Sequence, residues 1–328
     1  MVRFGIIGTN WITDSFIEAA REVPEFSLTA VYSRTAERGR EFAAKHGIPH
    51  VFTDLETMAA SGELDAVYIA SPNALHAEQA ILLMNHGKHV LCEKPIASNA
   101  RETQRMIDAA NANGVALMEA LKSTLLPNFE AIRDALPNIG KVRRFFASFC
   151  QYSSRYDTYK AGTVLNAFNP ALSNGALMDL GIYCIYPMVV LFGKPDTVRA
   201  NAVMLESGVD GEGSVLAGYR EMEGVIMYSK ITQSSLPCEI QGEDGSIVFD
   251  KMSQPKQVEI RYRDGRVETV TRPQAERNMQ YEVREFIRLI EEGRLESSVN
   301  SHANSLAVME LMDEARKQCG IVYPADLA

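Results

Sequence analysis

The sequence is poor in the features that would take it out of the ordinary globular class. Only five of its 328 residues are cysteine, Cys92, Cys150, Cys184, Cys238 and Cys319, and no two form a C-x-x-C pair. An odd, scattered set excludes a disulfide scaffold and fits a reducing compartment. Positive charge is in deficit too, with 33 Lys and Arg against 42 Asp and Glu, a formal net charge of -9. That balance opposes phosphate backbones and anionic bilayers, so neither nucleic acid nor a membrane is expected as a partner, although a local basic pocket is compatible with it. No apolar run approaches the roughly 18 residues of a membrane span. The opening MVRFGIIGTN lacks the roughly 7–15-residue apolar core and the cleavage site of a secretory signal, and the expected location is the cytoplasm. His46, His50, His86, His89 and His302 show no metal-ligand spacing, so no metal is expected.

What is present is a chain with 46% hydrophobic and 23% charged residues, typical of a folded protein, and about twice the length of a domain of roughly 150 residues. Its first third has a rhythm. The apolar run Val2 to Gly8 is followed by helical spacing from Trp11 to Glu22, then FSLTAVY (26–32) by Ala36 to His46. DAVYIA (65–70), His76 to His86, His89 to Cys92, Arg101 to Asn113 and Val115 to Glu119 continue the alternation. Apolar strands alternating with amphipathic helices predict a doubly wound, Rossmann-type parallel sheet over residues 1–121. Beyond residue 122 the strands alternate and crowd together at 197–205, 215–219, 225–232, 247–249, 258–262 and 267–270, with turn signals at Asp210-Gly211, Asp244-Gly245 and Asp264-Gly265. Helical segments at 175–191, 276–291 and 303–318 complete an α+β domain with a large, mostly antiparallel open sheet over 122–328.

The first strand-to-helix turn is where a dinucleotide pyrophosphate would meet backbone N–H groups and the positive end of a helix dipole. Gly8, Thr9, Asn10, Trp11 and Ile12 are the candidates there. Asn10 stands where a second glycine is expected, and Asp14 would repel a phosphate if aimed at it; alone, the turn also suits a purely structural role. The acidic residue that usually bonds a ribose 2'-hydroxyl after the second strand is missing. Ser33 and Arg34 stand in its place, with Arg38 one turn later, which predicts NADP as the preferred cofactor and leaves NAD as the alternative.

Two more strands end in polar clusters, Ser71-Pro72-Asn73-Ala74-Leu75-His76 and Glu93-Lys94-Pro95, at the edge where open α/β sheets bind ligands. With these residues on the page, the chain resembles the Gfo/Idh/MocA oxidoreductases, which carry S-P-N-x-x-H and E-K-P at these places. The resemblance covers the whole chain. In the second half, Gly175-Ala-Leu-Met-Asp179-Leu-Gly181-Ile-Tyr183 is similar to the family's G-x-x-x-D-x-G-x-x-[HY] segment, in the Tyr-containing branch of dihydrodiol and xylose dehydrogenases.

The resemblance implies hydride transfer between a nicotinamide cofactor and a secondary alcohol or carbonyl of a sugar, polyol or dihydrodiol. Such a step needs a proton donor within about 3 Å of the substrate oxygen. A phenol is a poor base at neutral pH unless a neighbouring ammonium favours the phenolate. Tyr183 is therefore expected as general acid/base, Lys94 as the cation that tunes it and polarises the oxygen, and Asp179 as the residue orienting a substrate hydroxyl or Lys94. Ser71, Asn73, His76 and Glu93 join the expected cofactor contacts, with a purely structural role as the alternative for His76, and the family implies a cis Lys94–Pro95 bond. A long polar loop running from Tyr152 past Asn166, Phe168 and Asn169 is expected to cover substrate, with Arg155 on a substrate oxygen or on a neighbouring carboxylate. A catalytically silent NADP(H)-binding regulator and a glycosidase-like use of the fold are the alternatives. Both faces of the second sheet carry apolar side chains, as in 142–149, which predicts a homodimer or higher homo-oligomer through that sheet.

Overall fold

The computed structural model describes residues 1–327. The chain forms two compact units, residues 1–122 with 275–305, and residues 123–274 with Leu306 onward.

The first unit is built on strands β1 (Val2–Ile7), β2 (Phe26–Tyr32), β3 (His50–Phe52), β4 (Ala66–Ile69), β5 (His89–Glu93) and β6 (Leu117–Ala120). They lie in the order β3-β2-β1-β4-β5-β6, with every pair parallel. The connecting helices are α1 (Trp11–Ala20), α2 (Ala36–His46), α3 (Leu55–Ala60), α4 (His76–Asn85) and α5 (Ala100–Asn113). All four residues of β4 are buried, as a sheet covered on both faces requires. Phe16 of α1 stacks on Tyr68 with ring centroids 3.6 Å apart, and Phe4 meets Phe26 at 4.9 Å. The strand order reverses between β1 and β4, which places the Gly8 turn and the Ser71 loop side by side at the switch point.

The second unit begins with α6 (Pro127–Ala135), β7 (Val142–Cys150), α7 (Tyr156–Lys160) and α8 (Ile182–Phe192), followed by β8 (Thr197–Met204), β9 (Asp210–Gly218) and β10 (Glu223–Ser229). β11 (Cys238–Gly242), β12 (Gly245–Phe249), β13 (Val258–Tyr262) and β14 (Val267–Thr269) complete its sheet. The order is β14-β13-β12-β11-β7-β10-β9-β8, antiparallel except where β10 runs parallel to β7. Phe145, Ala147, Val215, Ile226, Tyr228 and Ile240 make a buried inner face, and α8 packs on β7 and β10. The last helices are α9 (Gln280–Glu291), α10 (His302–Cys319) and α11 (Pro324–Leu327).

Several expectations are corrected. Residues 275–305, read as part of the second domain, belong to the first unit, because α9 buries Phe286 edge-on to Phe4 at 6.1 Å. Asp210-Gly211 is not a turn: the chain reverses at Ser207-Gly208, with Gly208 at φ 91, and Asp210 opens β9 fully buried. The 175–191 helix is a π-helical turn, Leu177–Gly181, running into α8. Against the expectation from apolar run length, Pro170–Phe192 is apolar enough to cross a membrane by length and composition, with mean hydropathy 1.7. It is 67% buried within the protein, as a core segment is. β3, α3, α6, α7 and β11 were not singled out from the sequence.

Candidate active site

In the first unit, Gly8 sits at φ +104, and a Cβ there would lie 2.5 Å from the backbone oxygen of Ala70. Only glycine fits such a position. Asn10, in place of a second glycine, is extended at φ -112 and caps α1: its Oδ1 accepts from Ile12 N at 3.0 Å while its Nδ2 donates to Ala70 O at 2.9 Å. The Asn10 side chain thus ties the turn to the end of β4. Asp14 points back to α2, accepting from Lys45 at 2.8 Å and sitting 2.7 Å from His46 Nε2, so it is not aimed at the turn. Trp11 is 66% exposed at the first position of α1.

At the end of β2, Ser33 is buried and Arg34 exposed. Arg38 reaches across to the glycine turn, donating from Nη2 to Thr9 O at 2.9 Å and from Nε to Thr9 Oγ1 at 3.3 Å, while Nη1 pairs with Glu41. With no carboxylate at the strand end, the free guanidinium surface belongs to Arg34. A glycine turn closed against backbone, a capped helix N-terminus and a basic strand end fit a phosphorylated dinucleotide.

Beneath lies a buried polar layer. Ser71 Oγ donates to Gln79 Oε1 at 2.6 Å. His76, expected among cofactor contacts, is fully buried, with Nε2 2.9 Å from Ser71 O and Nδ1 3.0 Å from Pro95 O. Burial pushes its pKa below the usual histidine range, against the pull of those carbonyls. The structure therefore gives His76 to the scaffold that joins the Ser71 loop to the cis Lys94–Pro95 peptide. Glu93, also expected at the cofactor, is buried and accepts from Tyr68 OH at 2.6 Å and from Lys94 N at 3.3 Å. Burial raises its pKa, opposed by the charge of Lys94. Asn73, in the short 3-10 turn after Pro72, and Lys94 itself are half-buried.

The sequence reading missed two further carboxyls of this layer. Glu282 of α9 is fully buried with no hydrogen-bond partner on either oxygen, and burial followed by the charge of Glu93 pushes its pKa well up, against Lys122. Glu119 accepts from Ile96 N at 3.0 Å and from Ser305.

In the second unit, Gly175 at φ +149 lets Asp210 reach the start of the π-helical turn: a Cβ there would lie 2.2 Å from Asp210 Oδ1. Asp210 accepts from Ala176 N at 3.1 Å and Leu177 N at 2.7 Å, and burial pushes its pKa up to about 6. Asp179, expected to orient substrate or Lys94, pairs with Lys230, whose Nζ lies 2.7 Å from Asp179 Oδ2. Lys230 was not singled out from the sequence, which reads it as one residue inside the 225–232 strand; the strand in fact ends at Ser229. Tyr183 is half-buried in the first turn of α8, its ring edge-on to Phe149 at 5.5 Å. Arg155 is exposed just ahead of α7. The expected polar loop is partly core: Ala167 and Phe168 are buried with Val209, and Tyr156 and Tyr159 pack on them.

Residues 2–121 match the family model for the oxidoreductase family with an NAD-binding Rossmann fold, and residues 132–248 match the GFO/IDH/MocA C-terminal domain. The chain belongs to the GFO/IDH/MocA oxidoreductases. Within that family it is 63% identical, over 328 residues and 100% of both chains, to the scyllo-inositol 2-dehydrogenase (NADP(+)) IolU of Bacillus subtilis (strain 168). It is 34% identical to the trans-1,2-dihydrobenzene-1,2-diol dehydrogenase of Danio rerio, over 99% of each chain. The fold matches the 3-ketoreductase KijD10 from Actinomadura kijaniata, solved in complex with NADP and TDP-benzene, at a TM-score of 0.85 and 24% identity over 97% of this chain and 98% of that one. The GFO/IDH/MocA fold thus accounts for both sheets, while the buried carboxyls make a property of this chain measurable.

Burial, opposed by Ser305 and the Ile96 N–H, pushes Glu119 up from about 4.5 to about 7. Between those values the native state keeps a proton the unfolded chain has lost, so Glu119 costs stability as pH rises, with the cost complete above pH about 7. Glu119→Gln keeps both partners and cannot ionise. Its unfolding free energy in urea should gain on the parent by on the order of 1–3 kcal/mol between about pH 5 and 8.5, and a difference independent of pH would contradict this account.

Proposed function

We propose that this protein is an NADP-dependent dehydrogenase that interconverts a secondary alcohol of a cyclic polyol with the corresponding ketone. The 63% identity along the whole chain to an NADP(+)-dependent scyllo-inositol 2-dehydrogenase carries the reading. The basic end of β2 and the fixing of Asp179 by the buried Lys230 support it.

Gly8, Asn10 and the α1 N-terminus would hold the pyrophosphate, and Arg34 the 2'-phosphate, at a strand end with no acidic competitor. The bound NADP supplies the hydride acceptor. The chain's own residues handle the proton and the alcohol. Lys94 places an ammonium at the reacting oxygen and stabilises developing alkoxide charge. Tyr183 takes the hydroxyl proton during oxidation and returns it during reduction. Asp179, held by a buried lysine, accepts a hydrogen bond from a neighbouring substrate hydroxyl, which suits a neutral polyol. An NADP(H) sensor would need no such proton-handling set.

Purified protein with NADP and scyllo-inositol should accumulate reduced cofactor. Cleavage of a glycoside without net reduction, or no turnover across a panel of cyclitols and aldoses, would overturn the assignment. Lys94→Met and Tyr183→Phe should each lower kcat by about 10²–10⁴. Because Trp11 is the sole tryptophan, its fluorescence reads NADP affinity separately; full turnover in either variant sinks the role given to that residue. Arg34→Ala should lower the NADP/NAD ratio of kcat/KM by about tenfold or more, since one charge-assisted contact is lost. An unchanged ratio would move cofactor selection elsewhere.

We also infer a homodimer or larger homo-oligomer through the outer face of the second sheet. Phe146, Val225 and Leu216 stand opposite one another across β7, β10 and β9, and Met227 continues the same face. Leu216 is 47% and Met227 37% exposed, an apolar row that fits a second copy of the same surface. Light scattering at micromolar concentration should give at least twice the chain mass; a monomer would exclude this interface.

A further inference from the structure

We infer that Lys230 is a positioning residue for the substrate-binding carboxylate Asp179, fixing it and the segment around Ala167 as one surface. Lys230 follows directly on β10 and its side chain is only 3% exposed, whereas that of Asp179 is 37% exposed. The cation is therefore inside and the carboxylate faces outward. A buried ammonium has three donors to satisfy and a large desolvation cost unless it is paired. Nζ lies 2.7 Å from Asp179 Oδ2 and donates to Ala167 O at 3.1 Å, and it sits 5.3 Å from the centroid of the Phe168 ring. The backbone of Lys230 is fixed as well: its N–H donates to Gly211 O at 2.8 Å, and its carbonyl accepts from Ser153 N at 2.8 Å.

A second carboxylate, this one buried, completes the arrangement. Asp210 grips residues 176 and 177, and the charge of Lys230 favours its ionised form. Lys230 grips residue 179. The short π-helical turn is thus held at its start by Asp210 and at its middle by Lys230, charges of opposite sign, one turn before Tyr183. The pairing with Nζ sets the orientation of the Asp179 carboxylate, an acceptor-only group of the kind a substrate hydroxyl donates to. Without Lys230 the carboxylate could rotate, and the carbonyl of Ala167 would lose its tether.

This inference rests on the reading of Asp179 as a substrate contact, and the experiment separates the two. Lys230→Met, Asp179→Asn and the double variant are assayed with scyllo-inositol and NADP. Lys230→Met should raise KM for the polyol about ten- to a hundredfold, with a smaller change in kcat and NADP affinity by Trp11 fluorescence kept within about twofold. Asp179→Asn should behave similarly, and the double variant should be no worse than Asp179→Asn alone, the mark of residues acting as a unit. If Asp179→Asn leaves KM unchanged, the substrate role of Asp179 is wrong. If Asp179→Asn raises KM while Lys230→Met does not, or if the two effects multiply, the positioning role of Lys230 is wrong. Should Lys230→Met fail to fold, Lys230→Ala is assayed with added ethylammonium or ethanol. Recovery of the polyol KM by the cation alone supports the inference, and equal recovery or none overturns it.

Discussion

The first unit depends on one close approach, the backbone of Gly8 against the carbonyl of Ala70. It lets the turn after β1 and the loop after β4 share one edge of the sheet. Everything built there is referenced to that contact. Asn10 bonds the same carbonyl, the chain beyond it runs through Ser71 to His76, and His76 touches Pro95 beside Lys94. A helix N-terminus suited to phosphate and the candidate catalytic ammonium are thereby tied through a few backbone carbonyls. Rigid elements position reacting groups better than loops do, because less motion must be frozen when substrate arrives.

Buried charge is managed in two ways, and the second unit uses both, since burial raises the pKa of Asp210 as well. The first unit collects Glu93, Glu119 and Glu282, and burial raises the pKa of each. The second unit buries an ammonium, Lys230, and surrounds it with Asp179, a carbonyl and an aromatic face. Carboxyls can shed their charge by keeping a proton at moderate cost. Lysine, with its high solution pKa, is more readily paired than neutralised.

The doubly wound order, the antiparallel second sheet and the chemistry-bearing segments were legible because each leaves a local mark. Strands buried on both faces read as apolar runs, and Gly8, Lys94 and Tyr183 stand at element ends where a polar or permissive residue is conspicuous. What was not legible is set by distant partners. Nothing near Asp179 announces Lys230, 51 positions away, and nothing near Phe4 announces Phe286. Asp210-Gly211 was misread because an aspartate before glycine has the composition of a turn, whereas its carboxylate is spent on capping residues 176 and 177. His76 and Glu93 occupy motif positions, yet their polar atoms face inward.

His76 has a backbone carbonyl at each ring nitrogen, while burial favours the uncharged ring. An uncharged imidazole carries a single N–H. Ser71 and Pro95 therefore compete for one hydrogen, and each of the two tautomers satisfies one segment at the expense of the other. Whatever draws the proton to one nitrogen loosens the opposite tether, so the loop after β4 and the lysine turn after β5 are in chemical communication through a ring that need not move.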